Sequence, residues 1–345
     1  MAEIRRAEHN KRSGVCYAVT NDGLELPVVD ITHPAFAFTL TDEKQQALTA
    51  HFLEEQRRFA RLPGWLRGAM MRFFVRGSRL GRGLRRAEGT YLDGMTTYLF
   101  KLGPKNLGSY AVPVDRRIVT SLPALSVRLR LTDMARLLAD GLLARVSADA
   151  QRPWHFVNIA GGPAIDSLNA LILLRRERPE LLSGRAITVR VLDRDADGPA
   201  FGARALRALT AAAAPLAGLD VAFEHVAYDW KQTSGLLPVL EAAKTAGALL
   251  AVSSEGGLFE YGSDEDVLAN LRALAETGDA GVYVVGSVTR DDEVIQTLKL
   301  TSTAATKPRG LATFSALIAR AGWRVVRSIA RPLSDQVLLE PTPRS

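Results

Sequence analysis

The chain has 345 residues, 47% of them apolar, with 44 Lys/Arg against 37 Asp/Glu. That length supports one large core or two modest ones, and a single cysteine, Cys16, excludes an internal disulfide framework and a cysteine-based zinc site. No apolar run approaches the ~20 residues of a membrane span, and the basic N-terminus MAEIRRAEHNKR lacks the apolar stretch of a signal peptide, so the sequence reads as a cytoplasmic protein in a reducing compartment.

The net charge of +7 is unevenly placed. Residues 1–150 carry 23 Lys/Arg and 15 Asp/Glu, a net of +8; the remainder carries 21 and 22, a net of −1. Ten arginines lie between Arg57 and Arg86, interleaved with Trp65, Phe73 and Phe74. Two readings of this stretch stay open. It is the solvated face of one or two surface helices, or it meets an anionic partner: a phosphate-bearing substrate, a carrier protein, RNA or an acidic membrane surface.

In chain order, Gly14–Val19 and Leu24–Val29 read as hairpin strands turned at Asn21-Asp22-Gly23. Thr39–Phe59 reads as a helix with Thr41 as its N-cap. Further helices are expected over Gly64–Val75, Gly89–Leu102 and Leu131–Leu143. The second of these carries Tyr91, Met95 and Tyr98 at spacings of four and three, on one face that is either core or the lining of an acceptor pocket. Residues 1–150 are thus expected to form a mostly helical cap.

From Trp154 strands and helices alternate. Strands are predicted at 155–160, 187–193, 220–226, 247–253, 280–287, 323–329 and 335–340. The helices between them are predicted at 166–178, 200–213, 235–245, 264–277 and 310–321. This spacing indicates a doubly wound α/β sheet over residues 151–345 with its ligand at the carboxyl ends of the first strands. The last two strands are joined too tightly for a parallel crossover and form an antiparallel hairpin.

The loops after the strands hold the chemistry. NIAGGPA at 158–164 is a small-residue turn between strand and helix, where backbone approaches a ligand closely. Pro163 lacks an N–H, which weakens a phosphate-cradle reading. VRVLDRD ends the second strand on Asp193, with Arg194 and Asp195 beside it. AYDW follows the third strand and VSSEGGLFEYGSDE the fourth.

This order of motifs, with the reversed last strand, resembles the class I S-adenosylmethionine (SAM)-dependent methyltransferases. The resemblance covers roughly the last 190 residues and implies a Rossmann-like seven-stranded doubly wound sheet with an antiparallel last strand. It implies that Asn158, Ala160, Gly161 and Gly162, with Asp166 and Ser167 one turn on, lie under the methionine half of SAM. Asn158 stands where the family carries an acid, and the outer glycines are Ala160 and Ala164. Asp193, or second to it Asp195, would accept the ribose hydroxyls, with Arg194 alongside. Asp229 and Trp230 would meet the adenine, and Ser254 would contact the cofactor near the transferred methyl.

Glu255, His225 and Tyr261 are the candidate catalytic groups: His225 or Glu255 as base, Tyr261 as a hydrogen-bond partner of the nucleophile. Tyr91, Met95, Tyr98 and Phe259 are the candidate acceptor-binding residues. The implied function is methyl transfer to O, N or C of a small-molecule acceptor, one that bears phosphate or rides a carrier protein if the arginine stretch serves it. Nucleic acid is a weaker partner, because no RNA-binding module and no Asn-Pro-Pro-Tyr motif is present. A nicotinamide oxidoreductase lacks its G-x-G-x-x-G spacing here. A non-catalytic binding protein on the same fold is the third alternative. No metal site is expected.

Overall fold

A computed structural model describes residues 11–38, 40–74, 77–146, 151–276, 281–302 and 304–343. The expected element ends at Thr39, Val75, Thr277 and Ala280 lie outside these residues, as do the side chains of Arg72, Phe73, Phe74 and Arg76.

The N-terminal part opens with a short antiparallel hairpin, β1 (Tyr17–Val19) and β2 (Glu25–Pro27). Six helices follow: α1 (Asp42–Ala60), α2 (Gly64–Phe74), α3 (Arg79–Arg86), α4 (Gly94–Leu102), α5 (Pro113–Ile118) and α6 (Leu122–Leu143). Thr41 caps α1 by accepting the Lys44 N–H at 3.3 Å. The helix expected over Gly89–Leu102 begins five residues late. Asp93 is its N-cap, accepting from the Thr96 N–H at 2.6 Å and the Thr96 hydroxyl at 2.7 Å. Tyr91 therefore sits in the loop before α4 and does not share a helical face with Tyr98. Helix α6 starts nine residues before the expected Leu131, with Pro123 in its first turn.

The remainder alternates as expected, with two short helices, α10 and α12, that the spacing does not predict: β3 (Trp154–Ile159), α7 (Ile165–Glu177), β4 (Ile187–Asp193), α8 (Asp197–Thr210), β5 (Val221–Ala227), α9 (Leu237–Thr245), β6 (Leu249–Ser254), α10 (Leu258–Tyr261), α11 (Asp264–Ala275), β7 (Tyr283–Thr289), α12 (Glu293–Lys299), α13 (Gly310–Ala319), β8 (Trp323–Ala330) and β9 (Ser334–Pro341). Strand order is β5-β4-β3-β6-β7-β9-β8. The first five strands pair in parallel; β9 runs antiparallel to both β7 and β8. The sheet is a Rossmann-like doubly wound α/β sheet with a reversed last strand. β3 and β6 are buried along their whole length, which is why they read as mostly apolar runs without strict alternation, broken only by His155 and Asn158 in β3 and by Ser253 and Ser254 at the end of β6.

The chain winds outward from β3 toward β5 on one side and from β6 toward β8 on the other, so the switch point lies between β3 and β6. One core layer, with Leu26, Tyr98, Leu131, Leu168 and Phe201, joins the N-terminal helices to α7, α8 and one sheet face. A second, with Leu240, Leu268, Phe314 and Trp323, covers the other face. Among the described residues no helix is long and apolar enough to cross a membrane.

Candidate functional site

A cleft opens at the switch point, above the carboxyl ends of β3, β4 and β6. It encloses about 620 Å³, part of it open to solvent. Its floor is the turn after β3. Ala160, Gly162 and Ala164 all take left-handed backbone, with φ of 55°, 51° and 53°. A left-handed residue with a side chain costs roughly 1–2 kcal/mol, so the two alanines are held by what surrounds them. Gly162 is wedged between two other segments: a Cβ built on it would lie 2.9 Å from the Cα of Gly94, and one built on Gly198 would lie 2.8 Å from the Cα of Gly162. The small residues therefore serve the packing of three backbones and not only ligand access.

Asp193 ends β4 beside this turn. Its Oδ2 accepts the Gly162 N–H at 2.9 Å and its Oδ1 the Asp195 N–H at 3.0 Å. Burial pushes its pKa up, opposed by those two N–H groups. Arg194 lies 3.8 Å from Asp229, whose Oδ1 accepts the Lys231 N–H at 3.1 Å. Asn270 fixes the loop before Trp230: it accepts the Tyr228 hydroxyl at 2.6 Å and donates to the Trp230 carbonyl at 2.8 Å. Tyr91 stands edge-on to both Trp230 and Tyr261, with ring centroids 6.0 and 6.2 Å apart.

Behind the cleft lies a buried charged network. Glu255 accepts from Lys101 Nζ at 2.7 Å and from Arg130 Nε at 3.4 Å. Arg130 also donates to Glu260 at 3.0 Å, and Ser287 donates to the same Glu260 oxygen at 2.9 Å. Asn158 donates to Asp166 at 2.9 Å and to Ser253 at 2.6 Å and accepts from Ser167 at 3.1 Å. Asp166 is fully buried and its Oδ2 has no hydrogen-bond partner. Burial, and secondarily the Glu255 charge, push its pKa up to about 6.

The structure brings Ala160, Gly161, Gly162 and Asp193 together in the cleft lining, and with them Arg194, Trp230, Glu255, Tyr261 and Tyr91. Other expected site residues lie elsewhere. Asn158, Asp166 and Ser167 are buried beneath the turn, bonded to one another. Ser254 is buried and its hydroxyl accepts the N–H of Leu258, the first residue of α10, at 2.9 Å. Asp229 is not part of the lining; it lies 3.8 Å from Arg194, which is.

The acceptor and base expectations need the most correction. Tyr98 is core: it is fully buried, its ring packs on Phe201, and its hydroxyl donates to the Pro27 carbonyl at 2.6 Å. Phe259 is core, packed on Phe314. Met95 is partly buried against the first core layer. His225 is exposed on edge strand β5, 2.9 Å from the Asp193 carbonyl oxygen, and does not line the cleft. Glu255 is no free base, because two cations hold its oxygens.

The sequence reading missed Lys101, Gly94, Gly256 and Gly257 as lining residues, and Arg130 beneath them. The Asp93-x-x-Thr96 cap was the available signal that α4 starts over the turn; nothing local marks Lys101 or Arg130. Among the described residues no group of His, Cys, Asp or Glu could hold a metal ion.

No protein-family model matches the chain, and no curated protein does. Among solved structures, it is similar to a possible exported protein from Bordetella parapertussis, at 19% identity over 88% of this chain and 100% of that one, with a TM-score of 0.55. More distant likenesses are the mitomycin 7-O-methyltransferase MmcR (18% identity, 76% of this chain and 68% of that one, TM-score 0.39) and the magnesium protoporphyrin IX methyltransferase ChlM from Synechocystis PCC 6803 with bound SAH (13%, 64% and 88%, 0.42). The first likeness speaks for the fold alone, and the two methyltransferases, at such TM-scores, add no argument for function.

Proposed function

We propose that the protein is a SAM-dependent methyltransferase acting on a small-molecule acceptor. The observation that carries the reading is Asp193. It ends the second strand of the parallel order, faces the cleft, and has used only two of the roughly four acceptor sites of a carboxylate. The free sites suit the paired hydroxyls of a ribose.

The residues present fit the adenosine end of such a cofactor. Trp230, half-buried beside Asp193 in the lining, offers a ring face for a base. Gly161, Gly256 and Gly257 line the space toward β6, packed so closely that a Cβ on them would run into Asn158, Arg130 and Ala160. Bound there, the cofactor supplies a methyl group on a positively charged sulfur. The chain's own part is to hold both reactants in line, an effect worth about 7–11 kcal/mol in well-oriented systems.

Tyr261 is suited to orienting the acceptor as a hydrogen-bond donor. Burial, then the Glu260 charge, push its pKa up to about 12, so the phenol keeps its proton at neutral pH. Glu255, tied to Lys101 and Arg130, shapes the field of the site and is no proton acceptor.

The experiment is equilibrium dialysis with methyl-tritiated SAM. Saturable retention displaced by S-adenosylhomocysteine, and not by NADH or ATP, is expected. Retention displaced by NADH, or none at all, would remove the reading.

A further inference from the structure

The arginine stretch has no part in the cleft: no described side chain from Arg57 to Arg86 lines it. The stretch holds no Asp or Glu of its own. Some of its arginines find acids elsewhere: Arg57 pairs with Glu293, Arg58 with Glu54 and Arg79 with Asp22. Arg61, Arg82, Arg85 and Arg86 are exposed and make no ion pair among the described residues. Arg82, Arg85 and Arg86 share one face of α3, whose opposite side buries Leu80 and Gly83. Helix α5 ties α3 to α1. Its Asp115 accepts the Ser78 hydroxyl at 2.6 Å and the Leu80 N–H at 3.0 Å, and its Arg117 lies 3.7 Å from Glu55 of α1.

Apolar groups share this surface. The two most exposed large apolar side chains described, Trp65 at 75% and Leu300 at 57%, both adjoin the carboxyl end of α1. Trp65 lies four residues past Arg61, the C-cap of α1. Leu300 follows α12, and the next residue, Thr301, donates to Gln56 of α1. Helix α2 itself, GWLRGAMMRFF, is mostly apolar. Yet its described side chains are at most half-buried, and Leu66, Ala69 and Met70 pack against neither core layer.

A helix of Trp, Leu and Met that finds no place in the core, beside unpaired arginines, has the make-up of an interfacial helix. Trp and Leu enter the apolar boundary of a bilayer while guanidinium groups stay with the lipid phosphates. The planar guanidinium fork suits phosphate, to which it donates two parallel bonds. A nucleic acid would pair the arginines and stack on Trp65, but it offers Leu66 and Leu300 no apolar phase.

We propose that the end of α1, α2 and the arginine face of α3 dock on an anionic lipid bilayer, with Trp65 entering the interface. This is attachment and not a span, since no described helix is long and apolar enough to cross. Nothing in it depends on the cleft or on what the cleft binds.

The test is sedimentation of the full chain with vesicles of phosphatidylcholine alone and with vesicles containing about one-third phosphatidylglycerol. Binding to the anionic vesicles, at least about tenfold tighter than to the neutral ones, is expected. Trp154 and Trp323 are buried and Trp230 is half-buried, so a blue shift of tryptophan emission on binding reports Trp65. Trp65→Ala should weaken binding about fivefold or more and remove the blue shift. Replacing Arg61, Arg82, Arg85 and Arg86 together by Gln should weaken it at least about tenfold. Leu237→Ala, an apolar side chain 45% exposed on α9, should change nothing. Absence of binding to anionic vesicles would overturn the proposal. So would binding indifferent to Trp65→Ala and without the blue shift, which is the charge-only adhesion of any basic protein. Tighter, Trp65-dependent binding of a single-stranded polyuridine would give the surface to nucleic acid instead.

Discussion

Gly94, the first residue of α4, and Gly162, in the turn after β3, meet backbone to backbone: a Cβ on either would lie 2.8–2.9 Å from the other's Cα. The contact fixes the N-terminal helices over the glycine turn of the sheet and sets one wall of the cleft. Gly94→Ala should therefore cost about 1–3 kcal/mol, the usual penalty of overpacking where neither backbone can yield. Thr97→Ala, one turn along the same lining face, should stay within about 0.5 kcal/mol. Urea unfolding of the two variants checks this, and equal stabilities would contradict it.

Glu255 shows how far a plausible site residue can be from free. Its side chain and that of Lys101 are 2% and 3% exposed. Removing Lys101 leaves the buried Glu255 carboxylate with only its longer contact to Arg130, at 3.4 Å, so Lys101→Met should destabilise by about 2–4 kcal/mol, toward the cost of breaking a buried pair from one side. The double variant Lys101→Met/Glu255→Leu should recover part of that loss, although Arg130 then keeps only Glu260. A double variant no more stable than the single one would show the pair is not the source of the cost.

Two buried groups pull stability in opposite directions between pH 4 and 6.5. Asp166, held up at about 6 by burial and then Glu255, has a folded-state pKa above its ordinary 3.8. Its contribution is full below pH 3.8 and is lost as pH rises through about 6. His155 is depressed to about 4 by burial and then by Arg190, whose guanidinium is 3.0 Å from Nδ1. Its contribution is present above its ordinary 6.5 and is lost as pH falls through about 4. Between pH 7 and 4.5, Asp166→Asn should therefore lose about 1–3 kcal/mol more than wild type, and His155→Gln should lose less. Denaturation curves at both pH values decide it; parallel profiles for all three proteins would refute the assignment.

His225 illustrates the opposite case, an exposed imidazole that reaches only a backbone oxygen, the Asp193 carbonyl at 2.9 Å. His225→Ala should leave cofactor affinity and any methyl transfer within about threefold of wild type, since weak exposed contacts carry little energy. A hundredfold loss of turnover with affinity intact would restore it as a base.

The sheet was legible because its signal is local. Each buried strand is a short apolar run and each crossover a helix-length segment, so the seven strands fall within a few residues of their expected places. Asp193 was legible for the same reason, since a strand end followed by Asp-Arg-Asp places a carboxylate at the switch point. The cap was read less well. Asp93 was the local sign that α4 begins there, since its side chain accepts the Thr96 N–H, but the apolar spacing on either side of it hid the break.

The buried network could not be read at all. Lys101 and Arg130 stand 154 and 125 residues from Glu255 and meet it only through the packing of α4 and α6 against the sheet. Tyr98 and Phe259 were misplaced because an aromatic residue beside a site motif looks the same whether its ring faces the core or the cleft.

On the proposed function, Asp193 holds the ribose of an adenosine-bearing sulfonium cofactor. Calorimetric titration of S-adenosylhomocysteine into the wild-type chain and into Asp193→Asn, with NADH as the competing ligand, decides whether it does. Micromolar binding to wild type, weakened at least about tenfold in the variant through the loss of a charged hydrogen-bond acceptor, with NADH silent, is the predicted result. Binding that survives Asp193→Asn unchanged, or binding of NADH in its place, would contradict it.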